Sequence, residues 1–224
     1  MLLNTAGGIT GGDQFDIKGH AGTNAALTLT TQAAERTYAA QPGPAGRLTT
    51  TLSTEPGATL RWLPQETILF DKSRFDRTLN VELAADSNAL IVEPLVFGRA
   101  AHGETLHDIQ FRDTVRIRQD GRMIYADGMH LTGNAVDTLA HPATGNGTGA
   151  MATLILVSEN AELQLEPLRS LCAQKIGSTA GVSLLSTKLL VMRCLAEDSF
   201  TLRQRLLPVL DHLTQDQLPI CWRL

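Results

Sequence analysis

The sequence predicts a mainly β protein: a β-helix-like (solenoid) stack of mixed sheets with about two α-helices in its C-terminal third. Three observations carry this reading. Apolar residues alternate with period two through most of the first two thirds of the chain. Turn chemistry separates those runs, as "QPGPAG", "EPG", "DSN", "TGN" and the "TGNGTG" loop at 144–149. Finally, "NAAL" at 24, "GATL" at 57 and "NALI" at 88 each open a strand after a turn residue, at steps of 33 and 31 residues. Self-similarity at such a period, in strand-rich units, suits stacked coils better than a sandwich.

The elements follow in order. Leu27 and Leu29 form one apolar set, then Leu48, Thr50 and Leu52, then Leu60 and Trp62, Ile68 and Phe70, and Leu79, Val81 and Leu83. "RDTVRIRQDGRMIYADGMHL" is a hairpin that turns at Asp120-Gly121, a pair suited to the positive φ angles of a tight turn. "ATLILVS" (152–158) is a buried-type strand and "TKLLVMRCLAE" another. Between them, "NAELQLEPLRSLCAQ" spaces Leu163, Leu168 and Leu171 roughly as a helix, with Pro167 marking its first turn. In "DSFTLRQRLLPVLDHLTQD", Asp198 or Ser199 is the N-cap, and Leu202, Leu206, Val209, Leu210 and Leu213 share a face. Pro208 inside that helix predicts a kink. No linker-like stretch divides the chain, so residues 1–224 read as one domain.

Composition narrows the function. A hydrophobic content of 43% supports a core, and with only 4% aromatics that core rests on Leu, Val, Ile and Ala. A net charge of -4 argues against nucleic acid or an anionic membrane as the main partner. Cys172, Cys194 and Cys221 form no CxxC pair, which indicates neither a disulfide framework nor a zinc knuckle and fits a reducing cytoplasm. The N-terminus lacks the basic and apolar regions of a signal peptide. No apolar run reaches the ~18 residues of a transmembrane helix.

The opening "LLNTAGGITGGDQFDI" holds two glycine pairs, Gly7-Gly8 and Gly11-Gly12, followed by Asp13. A P-loop needs lysine and a hydroxyl residue where Asp13 and Gln14 stand. A dinucleotide fingerprint needs a helix where Phe15, Ile17 and Gly19 alternate like a strand. Both nucleotide readings fail, and turns at a strand end are the plain alternative. There is no GxSxG elbow, and His102 and His107 in "HGETLH" read as solvated loop residues. No HxH, HExxH or Cys-His cluster offers a tight metal site. The acids are more informative. Glu93 interrupts the apolar "ALIVEPLVFG", Asp127 interrupts the second arm of the hairpin, and Glu35-Arg36 follow "LTLTTQAA". A charge in an apolar strand must pair, meet water or shift its pKa. Glu66 borders a turn and is expected on a solvent face. For Glu93 and Asp127, a solvent face and a functional role stay equally open.

Together, "LLNTAGGITGGD", "LTTQAAERTYAA", "LRWLPQETILFDKSR", "FGRAAHGE" and "IRQDGRMIYADGMHL" resemble the urease accessory protein family UreD, called UreH in some organisms. The motifs occur in family order over nearly the whole chain. The resemblance implies a β-helix-like fold with two helices and a nickel-delivery chaperone that is not itself an enzyme. It implies UreF, UreG and apo-urease as partners, and UreG as the GTPase. It also implies an internal passage with nickel in transit and no tightly bound cofactor. Asp13 matches the acid of the family's "GGxxGGD", Glu93 an acid after its apolar strand, and Asp127 a position usually held by Glu. Glu35 stands where the family commonly has a small or hydroxyl residue, and Lys usually follows in place of Arg36. Members usually begin earlier, with further strands, so the resemblance implies an N-terminally shortened domain with an exposed sheet edge. The tail "LPICWRL" also departs from a "PRIW"-like end. Separated carboxylates suit a divalent ion in transit, because they replace part of its hydration without the grip of a His/Cys cage.

Two other readings stand beside this one. A solenoid carbohydrate-active enzyme would use Glu66 and Asp71 as paired acids and Trp62 as a sugar platform. A purely structural scaffold for UreF and urease would have no metal passage.

Overall fold

The structure is a computed structural model that describes residues 1–99, 102–173 and 179–223. The chain winds in coils. β1 (Gln14–Ala21), β2 (Ala26–Leu29) and β3 (Glu35–Thr37) form the first coil. β4 (Gly46–Thr54), β5 (Thr59–Trp62) and β6 (Thr67–Leu69) form the second, and β7 (Arg74–Leu83) and β8 (Asn88–Phe97) the third. β9 (Ile109–Gln119) turns back as β10 (Arg122–Gly133), and β11 (Ala150–Val157), β12 (Thr179–Ser186) and β13 (Leu189–Ala196) complete the described strands.

These strands make a five-stranded sheet in the order β1-β4-β7-β9-β10 and an eight-stranded sheet along β12-β13-β11-β8-β5-β2, with β3 and β6 joining beside β8. Successive coils pair in parallel, whereas β10 and the β8-β11-β13-β12 end pair antiparallel. The mixed, stacked sheets agree with the solenoid expectation.

The repeat in the sequence maps onto this stacking, with one correction. Ala26 lies beside Thr59, a step of 33 residues, but Thr59 lies beside Asn88, a step of 29 rather than 31. Asp86, not Asn88, is the turn residue stacked on Gly57, and its Oδ1 accepts the Gly57 N–H at 3.1 Å. A shift of two residues preserves which side chains face inward, so the alternating pattern is the same in either alignment.

The hairpin turns at Asp120 and Gly121, with φ of 51° and 71°. This is the left-handed geometry for which the dipeptide is suited. Three α-helices occur among the described residues. The sequence pattern gives no sign of α1 (Ala135–Ala140), a short helix whose cap Asn134 accepts from the N–H groups of Val136 and Asp137. α2 (Leu165–Ala173) and α3 (Ser199–Thr214) are the two expected in the last third. Asp198 caps α3 by accepting the Thr201 N–H at 2.7 Å, and Pro208 lies inside the helix. Leu202, Leu206, Val209 and Leu210 of α3 pack with Leu90, Val92, Leu154, Leu190 and Met192 on the outer face of the larger sheet.

β8 is buried on both faces, which explains its near-continuous apolar run. Its residues 88–91 pair with β5 and its residues 95–97 with β6. Pro94, which has no N–H to donate, falls in the gap between those two pairings.

Toward the bore, the inward positions of three strands form layers. Phe75, Leu95 and Phe111 belong to one apolar cluster, and Leu79, Ile91 and Val115 to another. Between them, at the same inward phase, stand Arg77, Glu93 and Asp113. A polar layer therefore divides the apolar interior.

Candidate functional site in the solenoid bore

This layer is built by strand register. Arg77 of β7 lies beside Asp113 of β9, while on the opposite sheet Glu93 of β8, Thr153 of β11 and Arg193 of β13 stand side by side. Arg77 Nη1 sits 2.7 Å from Glu93 Oε2, and Nη2 sits 2.6 Å from Asp113 Oδ2. Arg77 Nε also donates to Asp113 Oδ1 at 3.0 Å. The second Glu93 oxygen accepts the Trp62 indole N–H at 2.6 Å. Asp127 pairs with Arg193 and accepts the Tyr125 hydroxyl at 3.1 Å.

Electrostatics follow from burial and pairing. Burial opposes the Arg77 charge, but Asp113 and Glu93 outweigh it and hold the guanidinium above its ordinary range. Burial raises the Glu93 carboxyl above its usual range, with Asp113 adding to this and with Arg77 and the Trp62 hydrogen bond pulling the other way. Burial, then Asp127, push the Tyr125 phenol up to about 12.

Two cavities adjoin this layer, and a third, at the surface, adjoins the second. The first, about 380 Å³, occupies the early coils and is lined by Glu35, Phe15, Leu48, Trp62, Arg77 and Glu93 among others. The second, about 90 Å³, is lined by Glu93, Asp113, Asp127, Thr153 and Arg193. The third, about 760 Å³ and wider to solvent, shares Met129, Met151 and Arg193 with the second. Glu93 is thus a wall common to the first two cavities, and Arg193 a wall common to the last two.

The expected acids separate accordingly. Glu93 and Asp127 meet at the second cavity, and Glu35 borders the first, where its Oε2 accepts the Asn4 amide at 2.9 Å. Asp13 borders none of the three: its Oδ2 accepts the Thr10 N–H at 2.9 Å and closes its own turn. The glycines serve backbone geometry. Gly12 takes φ of 87° in that turn. A Cβ on Gly8 would stand 2.8 Å from the Arg36 carbonyl oxygen and 2.3 Å from the Tyr38 ring. Gly8 therefore lets the N-terminal segment lie against β3, where Ile9 donates its N–H to the Arg36 carbonyl and accepts the N–H of Tyr38. Gly7 lines the first cavity, and Gly11 packs against Ala40 and the Pro44 carbonyl.

Glu66 corrects the expectation of a solvent face. It is buried, and Arg203 of α3 holds both its oxygens, at 2.8 and 2.7 Å. Trp62 is 3% exposed and Asp71 accepts the backbone N–H groups of His107 and Asp108, so the two do not form an exposed tryptophan platform beside a free acid. His102 and His107 are exposed loop residues, as expected. Among the described residues, no group of three or more His, Cys, Asp or Glu side chains is placed to hold a metal ion, and no helix is long and apolar enough to cross a membrane.

The class of protein is thus a mainly β solenoid whose bore holds a carboxylate–arginine layer between cavities. The family description "UreD urease accessory protein" matches residues 1–223. The urease accessory protein UreD of Ruegeria sp. (strain TM1040) is 54% identical over 228 residues, covering 100% of this chain and 77% of that protein. UreD of Roseobacter denitrificans is 50% identical over 223 residues, covering 100% of this chain and 80% of its own. UreD of Mesorhizobium japonicum is 42% identical, again over 100% of this chain. The chain belongs to the UreD urease accessory protein family.

Proposed function

We propose that this chain delivers nickel to apo-urease during maturation, as a cytoplasmic complex with UreF and UreG, and that nickel crosses its interior. In this reading the chain catalyses nothing itself, UreG is the GTPase, and nickel is cargo in transit past Glu35, Glu93 and Asp127. The observation that carries the reading is the adjoining of the three cavities at shared walls, Glu93 and Arg193. Oxygen ligands spaced along a route suit an ion that must leave as readily as it enters.

A second reading, a scaffold without a passage, draws support from the arginine partner that Glu93 and Asp127 each have. One experiment separates the two. Thr153→Phe would fill the small second cavity. The variant should still co-purify with UreF and apo-urease, while nickel per urease site falls well below the level given by the unaltered chain. Full nickel loading by the filled variant would favour the scaffold.

A further inference from the structure

We propose that Arg77 is a resident counter-ion, which occupies the interior carboxylates so that a divalent cation passing them is not trapped. The inference rests on the nickel-transit reading for its purpose, but not for its test.

The second cavity is small and bordered by three carboxylates, of Glu93, Asp113 and Asp127. With Arg77 gone, Glu93 and Asp113 would face the place its guanidinium leaves, and a divalent metal would take that place through their oxygens. The arrangement of Arg77 prevents this. Its guanidinium spans both sheets, forked onto Asp113 through Nε and Nη2 and reaching Glu93 through Nη1. Trp62 takes the remaining Glu93 oxygen. All four oxygens of Glu93 and Asp113 therefore have a donor already. Arg193 does the same for Asp127 from a half-exposed position. Three carboxylates against two guanidiniums leave one net negative charge, enough to admit a cation and too little to hold one.

Arginine suits this role where lysine does not. A guanidinium stays charged when buried and serves two carboxylates in one plane, whereas a buried ammonium can lose its proton. A guanidinium also has no lone pair to offer a metal. Thr67 Oγ1, 3.3 Å from Nη1, and the Phe111 ring, with its centroid 6.0 Å away, hold the head group in place.

The test uses the isolated full chain and nickel ion as the probe. Equilibrium dialysis at neutral pH should find no stoichiometric nickel on the unaltered protein. Arg77→Met, which keeps bulk and removes charge, should bind one nickel per chain, at an affinity at least about tenfold tighter than any residual binding by the parent. Arg77→Met combined with Glu93→Gln should lose that binding. Should Arg77→Met fail to fold, Arg77→Gln retains an amide donor for one carboxylate and is measured in its place. If both fold only when nickel is supplied, the metal is standing in for the guanidinium, as proposed. Folded variants that bind no more nickel than the parent overturn the proposal, as do variants that nickel cannot rescue. Urease activation is scored separately. A gain of nickel binding without any effect of the filled second cavity would sink the passage and leave the counter-ion role standing.

Discussion

Arg77 and Glu93 meet across the bore at 2.7 Å, one from the five-stranded sheet and one from the eight-stranded sheet, each 7% exposed. The pair ties the two walls of the solenoid at the level where its apolar interior is interrupted. Glu93→Ala should therefore destabilise the fold by up to about 3 kcal/mol, the lower end for a broken buried pair, because Arg77 keeps Asp113. Asp127→Ala, whose partner is half exposed, should cost about 1 kcal/mol or less. Asp13→Ala removes one turn hydrogen bond and should cost about 1 kcal/mol. Urea midpoints of the three variants give the ranking, and equal losses would contradict it.

Arg203 fastens α3 to the solenoid. It holds Glu66, donates to Gln65 Oε1 at 2.6 Å and to the Trp222 carbonyl at 3.2 Å, and lies over the Trp222 ring. Arg203→Ala leaves Glu66 buried without its base and should cost about 3–5 kcal/mol. Glu66→Gln with Arg203→Met should recover much of that loss. Thermal denaturation of the single and double variants measures the coupling.

Gly8→Ala should be worse than Gly12→Ala, although only Gly12 has a clearly left-handed φ. The new methyl at position 8 meets a backbone carbonyl that β3 holds in place, whereas nothing lies within 4 Å of a Cβ at position 12. The strain at Gly12 should cost about 1–2 kcal/mol. Denaturant midpoints for the two variants should fall in that order.

Asp71 links stability to pH. Burial works against its carboxylate, but the N–H groups of Asp108, His107 and Lys72 outweigh this and hold its pKa below the ordinary value. A depressed folded pKa contributes stability above the unfolded value, near 3.9, and the contribution is lost as pH falls through the folded value. Asp71→Asn should accordingly be less stable than the parent at neutral pH, and the gap should close below about pH 4. A gap that stays constant down to pH 2 would show that the charge is not what matters.

The fold was legible because period-two alternation and turn residues are local signals, and a register slip of two leaves them intact. Glu93 stood out because it breaks an apolar run. Arg77 and Asp113 obey the same inward phase, as Phe75-Arg77-Leu79 and Phe111-Asp113-Val115 show, yet neighbouring charges such as Asp76 and Arg112 on the outward phase conceal them. Strict period-two phase along both strands puts them on the inward face. The burial of Glu66 could not be read locally, since its cover, Arg203, comes from 137 residues away. α1 was too short for periodicity to register, with only its Asn134 cap as a cue. The cavities are gaps between side chains of distant coils, and no local pattern records them.

Parallel coils also set the order in which the molecule can form. Every strand of the first two coils pairs with residues at least 28 positions away, as Thr67 with Leu95 and Ala26 with Thr59 show. Such pairings require closure of a long loop before any hydrogen bond repays it. The pairings that need only a short turn, β9 with β10 and β12 with β13, belong to the later half of the chain. During synthesis the N-terminal coils therefore leave the ribosome before the hairpins that can template them. Pulse-labelled hydrogen exchange during refolding would reveal this order as early protection of the hairpin amides and late protection of β1, β2 and β3.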